Sequence, residues 1–194
     1  MPFEFDEAWR GAAMNVWHAG ADGVYTFNLF PNRRVQRFDQ LGSPETLRGL
    51  DKIYAVEHLT KFTLGGQHRM ANCVEGRLPV EVSTATPSQI HLPVGEDIVA
   101  NAPAEKTAHA KLELKLRPMA AGDQITVGIN GTILGEAIPR GPLTAEPGTH
   151  WVDWKPDPKL FKPGDNLVEV QLKTKRELEE PMVLQCLLLR VRYE

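Results

Sequence analysis

From Ala108 to Arg117 the chain alternates without a slip. Leu112, Leu114 and Leu116 fall on one side of an extended backbone, and Lys111, Glu113, Lys115 and Arg117 on the other. A repeat of two fits a strand with one buried and one solvated face, and it does not fit a helix. The same pattern returns in Gln124–Ile129, in Leu167–Lys173 and in the long last stretch Met182–Tyr193. In that last stretch Leu187, Leu189, Val191 and Tyr193 share a face opposite Arg190 and Arg192.

The breaks between these runs are turns with a mechanism. Asn130-Gly131 is a strong hairpin signal, because both central residues of the favoured two-residue turn need positive φ. In Lys162-Pro163-Gly164-Asp165-Asn166, Pro163 presets the first turn position and Gly164 suits the second. Shorter candidates are Leu78–Val82 and Gln89–Val94, bounded by Pro79, Pro87 and Pro93, together with Thr132–Leu134 and Thr149–Trp154. Seven or eight short strands with turns between them predict a mainly β fold, an antiparallel β-sandwich, and the generous Gly and Pro counts (16 and 15) suit it.

The first sixty residues read differently. Residues 7–19 place Ala8, Trp9, Ala12, Val16 and Ala19 at helical spacing behind an acidic start at Asp6 and Glu7. An Ala-Asp-Gly link then leads to an apolar run, Val24–Phe30, closed by Pro31 and predicted to be a buried strand. Ser43 as N-cap and Pro44 in the first helical position start a second helix, expected to run to about Leu59 with Leu47, Leu50 and Tyr54 on one stripe. The organisation expected is a helix-strand-helix segment over residues 1–64, followed by the sandwich over 65–194.

The totals exclude some functions. A formal net charge of −3 lacks the basic excess of a general nucleic-acid binder, so no nucleic-acid partner is expected. No apolar run approaches the ~18 residues of a membrane span, and no membrane partner is expected. The start, MPFEFDEAWR, lacks the basic and apolar regions of a signal peptide, which leaves the compartment open. Cys73 and Cys186 stand far apart in no metal-type spacing, and the spacing does not say whether they pair.

Three stretches of the second half, FKPGDNLVEVQL (161–172), VLQCLLLRVRY (183–193) and QITVGINGTIL (124–134), resemble the galactose-binding-domain-like jelly rolls appended to many bacterial carbohydrate-active enzymes. The first half, through RGAAMNVWHAGADGVYTFNLF and SPETLRGLDKIYAV, resembles the last strand and flanking helices of a (β/α)₈ barrel in bacterial glycoside-hydrolase-like proteins. The other barrel strands have no counterpart in this sequence. The resemblance therefore implies either a C-terminal portion of a longer protein or a gene that starts late. It also implies that barrel catalysis would be supplied upstream.

Candidate chemistry is sparse. His150-Trp151-Val152-Asp153-Trp154 is the densest polar-aromatic cluster, and alternation puts Trp151 and Asp153 together on one face. A tryptophan can stack on a sugar ring while a carboxylate takes hydroxyls, so these two are candidate carbohydrate-binding residues. Asn28, near the end of the expected barrel strand, is a third by the barrel resemblance. Glu96, Asp97 and Asn101 offer hard oxygen ligands in a loop of the kind that holds Ca²⁺ in some jelly rolls. Glycoside hydrolysis calls for two carboxylates across the scissile bond, and the expected barrel strand carries none. No nucleophile–base pair with recognisable spacing is present either. With the resemblance, the expectation is a non-catalytic accessory module of a carbohydrate-active protein, one that braces the barrel and can contact carbohydrate. An alternative is an assembly protein forming a homo-oligomer through an uncovered Val24–Phe30 strand.

Overall fold

The computed structural model describes residues 6–25, 38–57, 78–143, 146–174 and 180–194. Helix α1 spans Asp6–His18, followed by two short helices, α2 (Phe38–Leu41) and α3 (Pro44–Leu47). Ten strands follow: β1 (Lys52–Glu57), β2 (Val80–Glu81), β3 (Ser88–Val94), β4 (Ala108–Met119), β5 (Ile125–Ile129), β6 (Thr132–Ile133), β7 (Ile138–Pro139), β8 (Gly148–Trp154), β9 (Gly164–Leu172) and β10 (Val183–Tyr193).

Every strand pair among the described residues is antiparallel, and the strands form two sheets. The larger runs β1-β10-β4-β8-β7 with β2 on β10, and the smaller runs β3-β9-β5-β6. From β3 onward the chain passes back and forth between the sheets, the wrapping path of a jelly roll. The fold is the mainly β sandwich that the alternation predicts. Leu112, Leu114 and Leu116 of β4, Leu187, Leu189 and Val191 of β10, and Val168 and Val170 of β9 form its fully buried centre. The Asn130-Gly131 turn takes the expected conformation, with φ of 50° and 84°.

The first segment departs from expectation. Ser43 does cap α3, its Oγ accepting from Thr46 N at 3.3 Å, but the helix ends at Leu47 and not near Leu59. Gly49 takes φ +66° with Pro103 packed against it, and the chain turns into strand β1. β1 pairs with β10 along its whole length, from Lys52↔Val191 to Glu57↔Cys186. Both faces of β1 are covered: Tyr54 and Val56 join the main core, while Ile53 joins Ala8, Cys186 and Leu188 on the outer side. With both faces apolar, the run shows no alternation to read. Val24 and Tyr25, the start of the expected barrel strand, are not in a strand, and Tyr25 is exposed. The rest of that run, including Asn28, lies outside the described residues, as does Cys73.

Helix α1 lies along β1. Ala13 and Met14 reach the main core and Ala8 the outer cluster, so the helix straddles the edge of the larger sheet. Gly11 brings the helix backbone onto Ile53, and Gly95, just past β3, brings the chain onto the backbone of Met14. Edge strands with open backbone groups invite pairing, and a helix laid over the edge is one of the ways proteins cover them.

Candidate functional site

The outer face of the larger sheet is built from alternate residues of β10, β4 and β8. Glu113 stands directly beside Leu188 on one side and Asp153 on the other. One step along, Lys111 stands opposite Arg190, and one step further His109 stands opposite Arg192. Lys155 follows Trp154, which pairs with Leu112.

Glu113 and Asp153 are both buried although they lie on this outer face. Glu113 accepts from Arg190 Nε at 2.8 Å, pairs with Lys111 Nζ at 3.0 Å and contacts Arg140 Nη2. Asp153 accepts from Arg140 Nε at 2.9 Å through each carboxylate oxygen, and Lys111 Nζ lies 2.6 Å away. Lys111 and Arg140 thus bridge both carboxylates. The Arg140 guanidinium also lies over the Trp151 ring, 5.0 Å from its centre.

Burial pushes the Glu113 carboxyl up, but hydrogen bonds from Arg190, Arg140 and Lys111 outweigh it and hold the group below the usual range. Asp153 behaves alike: burial raises it, and Arg140 and Lys111 bring it below its ordinary value. The hydrogen bond to Asp153 in turn raises Arg140. Carboxylates held this way stay ionised and are poor proton donors, the reverse of what a general acid needs. The constellation is suited to charge recognition.

Beside this network opens a cleft of about 700 Å³ between the sheet face and the segment after β8. Five cationic side chains, Lys111, Arg140, Lys155, Arg190 and Arg192, line it against the carboxylates of Glu113 and Glu194.

The structure does place Trp151 and Asp153 on one face, as the alternation predicts, while Val152 and Trp154 fill the core. Trp154 Nε1 donates to Gly135 O at 3.2 Å. The Asp153 carboxylate is occupied by its two cations. Nothing local in the sequence marks those cations: Glu113 and Lys111 have the alternation of an ordinary solvated strand face, and Arg140 follows a strand of only two residues, too short to show a period.

Glu96, Asp97 and Asn101 also come together, but their donor set does not fit a calcium ion. The buried Glu96 carboxylate takes Lys52 Nζ at 3.0 Å, Tyr54 OH at 2.7 Å and Asn101 Nδ2 at 2.9 Å. The Lys52 ammonium stands where a metal would, and Asn101 offers Glu96 its N–H donor. Asp97 Oδ1 caps its own loop, accepting from Val99 N at 3.0 Å and Ala100 N at 2.9 Å. Among the described residues no group of three or more His, Cys, Asp or Glu side chains is gathered for a metal. Burial pulls the Lys52 amine below its usual range, and Glu96 works against that pull. The cluster clamps β1 to the loop after β3, beneath α1.

No known family profile and no curated protein matches this chain in sequence. Among solved structures, it is similar to a beta-porphyranase of glycoside hydrolase family 86 from the human gut bacterium Bacteroides plebeius. The match has 19% identity and a TM-score of 0.37, and covers 60% of this chain. The chain spans 19% of the length of that enzyme.

Proposed function

We propose that this chain is a non-catalytic accessory module of a carbohydrate-active protein, bracing neighbouring structure and binding saccharide at the outer face of β10, β4 and β8. The observation that carries this reading is the cleft itself. It is large enough for sugar units and rich in hydrogen-bond donors, yet the carboxylates of its network are tied up as ion pairs. Trp151, two residues along β8 from Asp153, packs on the outer apolar cluster and reaches the cleft through Arg140, which lies over its ring. Such a surface has the convergent hydrogen-bond donors of a sugar site, with Trp151 supporting one of them, Arg140. Its carboxylates are held ionised, whereas a glycosidase needs one of its pair to donate a proton.

Calorimetric titration of the pure chain with a panel of oligosaccharides tests this, with Trp151→Ala as the variant. The expected result is measurable heat with at least one saccharide and a clear loss in the variant. No heat with any saccharide, or hydrolysis of aryl glycosides by the pure chain, overturns the reading.

A further inference from the structure

The charge on this face is distributed unevenly, and the imbalance indicates what the cleft binds. The whole chain carries a formal charge of −3, yet the cleft gathers five cations against the carboxylates of Glu113, Glu194 and the adjoining Asp153. Within the sheet two of the cations are neighbours, Arg190 standing directly opposite Lys111. Like charges facing each other across a strand pair destabilise a sheet.

Glu113 and Asp153 offset this cost from one side only, the side toward Leu188 and Trp151. At the other end stand Lys155, which is exposed, and Arg192, whose side chain is 61% exposed and which meets Glu194 only at 4.0 Å. A pair that long and that exposed contributes little. The positive potential is therefore concentrated at the open end of the cleft, beside the stiff wall of Pro156 and Pro158.

From this arrangement we infer that the cleft takes an anionic polysaccharide, one bearing sulfate ester or uronate groups, with Lys155 and Arg192 as the residues that read the charge. The inference rests on the saccharide-binding reading above and names its ligand class. A guanidinium presents a planar fork to a sulfate or carboxylate, and an ammonium adds a point charge beside it. Charge complementarity favours this occupant over a neutral glycan.

The test is calorimetric titration of the full chain at low salt with four probes. These are a neutral oligosaccharide, its sulfated form on the same backbone, an oligogalacturonate, and inorganic sulfate alone. Lys155→Glu and Arg192→Glu are the cleft variants, and Lys173→Glu makes the same charge change beside the smaller sheet.

The expected result is that the sulfated chain or the oligogalacturonate binds tighter than the neutral one, and which of the two binds identifies the anion. Each cleft variant should weaken it about tenfold, the loss of one charge-assisted hydrogen bond, while Lys173→Glu leaves it unchanged. Equal binding of neutral and charged chains, unaffected by the cleft variants, leaves the saccharide reading standing and overturns the anionic one. Inorganic sulfate binding as tightly as the polymer overturns it in favour of a small-anion site. No binding by any probe overturns both.

Discussion

Glu113→Gln separates the stability of the outer face from its binding. The substitution keeps the shape and one acceptor oxygen and removes one buried negative charge. Arg190, Lys111 and Arg140 then lose their shared counter-ion, leaving Asp153 to answer for Lys111 and Arg140. Removing one partner of a fully buried ion pair costs about 3–5 kcal/mol. Here the side chains of Arg190, Arg140 and Lys111 are 27%, 37% and 38% exposed, so water takes back part of that penalty. A loss of about 2 kcal/mol remains, read as a lower urea midpoint with an unchanged slope. Binding should move the other way. The cleft loses one of its carboxylates, and its affinity for an anionic oligosaccharide should rise severalfold at low salt, with the gain fading as salt is added. An unchanged midpoint refutes the claim that Glu113 is the hub of the network. Weaker anion binding refutes the claim that the cleft works by positive charge.

Three further measurements probe the same construction. Because the folded carboxyls of Glu113 and Asp153 lie below their ordinary values of 4.5 and 3.8, the stability they contribute is complete above those values. It drains as pH falls through the lower folded ones, so thermal unfolding followed against pH should show an acid limb that Glu113→Gln flattens. Gly11→Ala gains about 1 kcal/mol of helix propensity, but its Cβ falls 2.1 Å from Ile53 O, so α1 must lift off β1. A net loss of about 1–3 kcal/mol is expected in urea, whereas Gly135→Ala, with nothing within 4 Å, should stay within about 0.5 kcal/mol. Asn166→Ala deletes a buried amide that donates to Lys162 O at 2.8 Å and accepts from Lys162 N at 2.9 Å. It should cost about 2 kcal/mol and speed amide exchange through the turn between Lys162 and Asn166.

The legible part of this chain is the part with one wet face. β4, β5, β9 and β10 each bury alternate residues against the other sheet, so their period of two survives in the sequence. β1 was hidden because α1 covers its outer face: Lys52-Ile53-Tyr54-Ala55-Val56 puts Ile53 under the helix and Tyr54 in the core. An N-cap and a proline at the head of such a run read as a long helix, and only the pairing with β10 decides otherwise. Lys52 hides the strand further. A lysine argues for a solvated position, yet here it is fully buried, paired with Glu96 and lying 5.5 Å from the Tyr193 ring centre. No local pattern foretells a partner that comes from a loop after another strand.

The face that carries the proposed site was half legible for a related reason. Along β10 the outward residues run from Cys186 and Leu188 to Arg190 and Arg192, and along β8 from Trp151 through Asp153, with Lys155 beyond the strand's end. The apolar end is closed by Ala8 of α1, so the ion pairs next to it are shielded and lock Glu113 and Asp153. Among the described residues the far end has no such cover, and Arg192 and Lys155 are exposed. Alternation predicts only that these side chains share a face. The helix laid over one end decides which of them become structure and which remain available to a ligand, and that information is spread over residues more than a hundred positions apart.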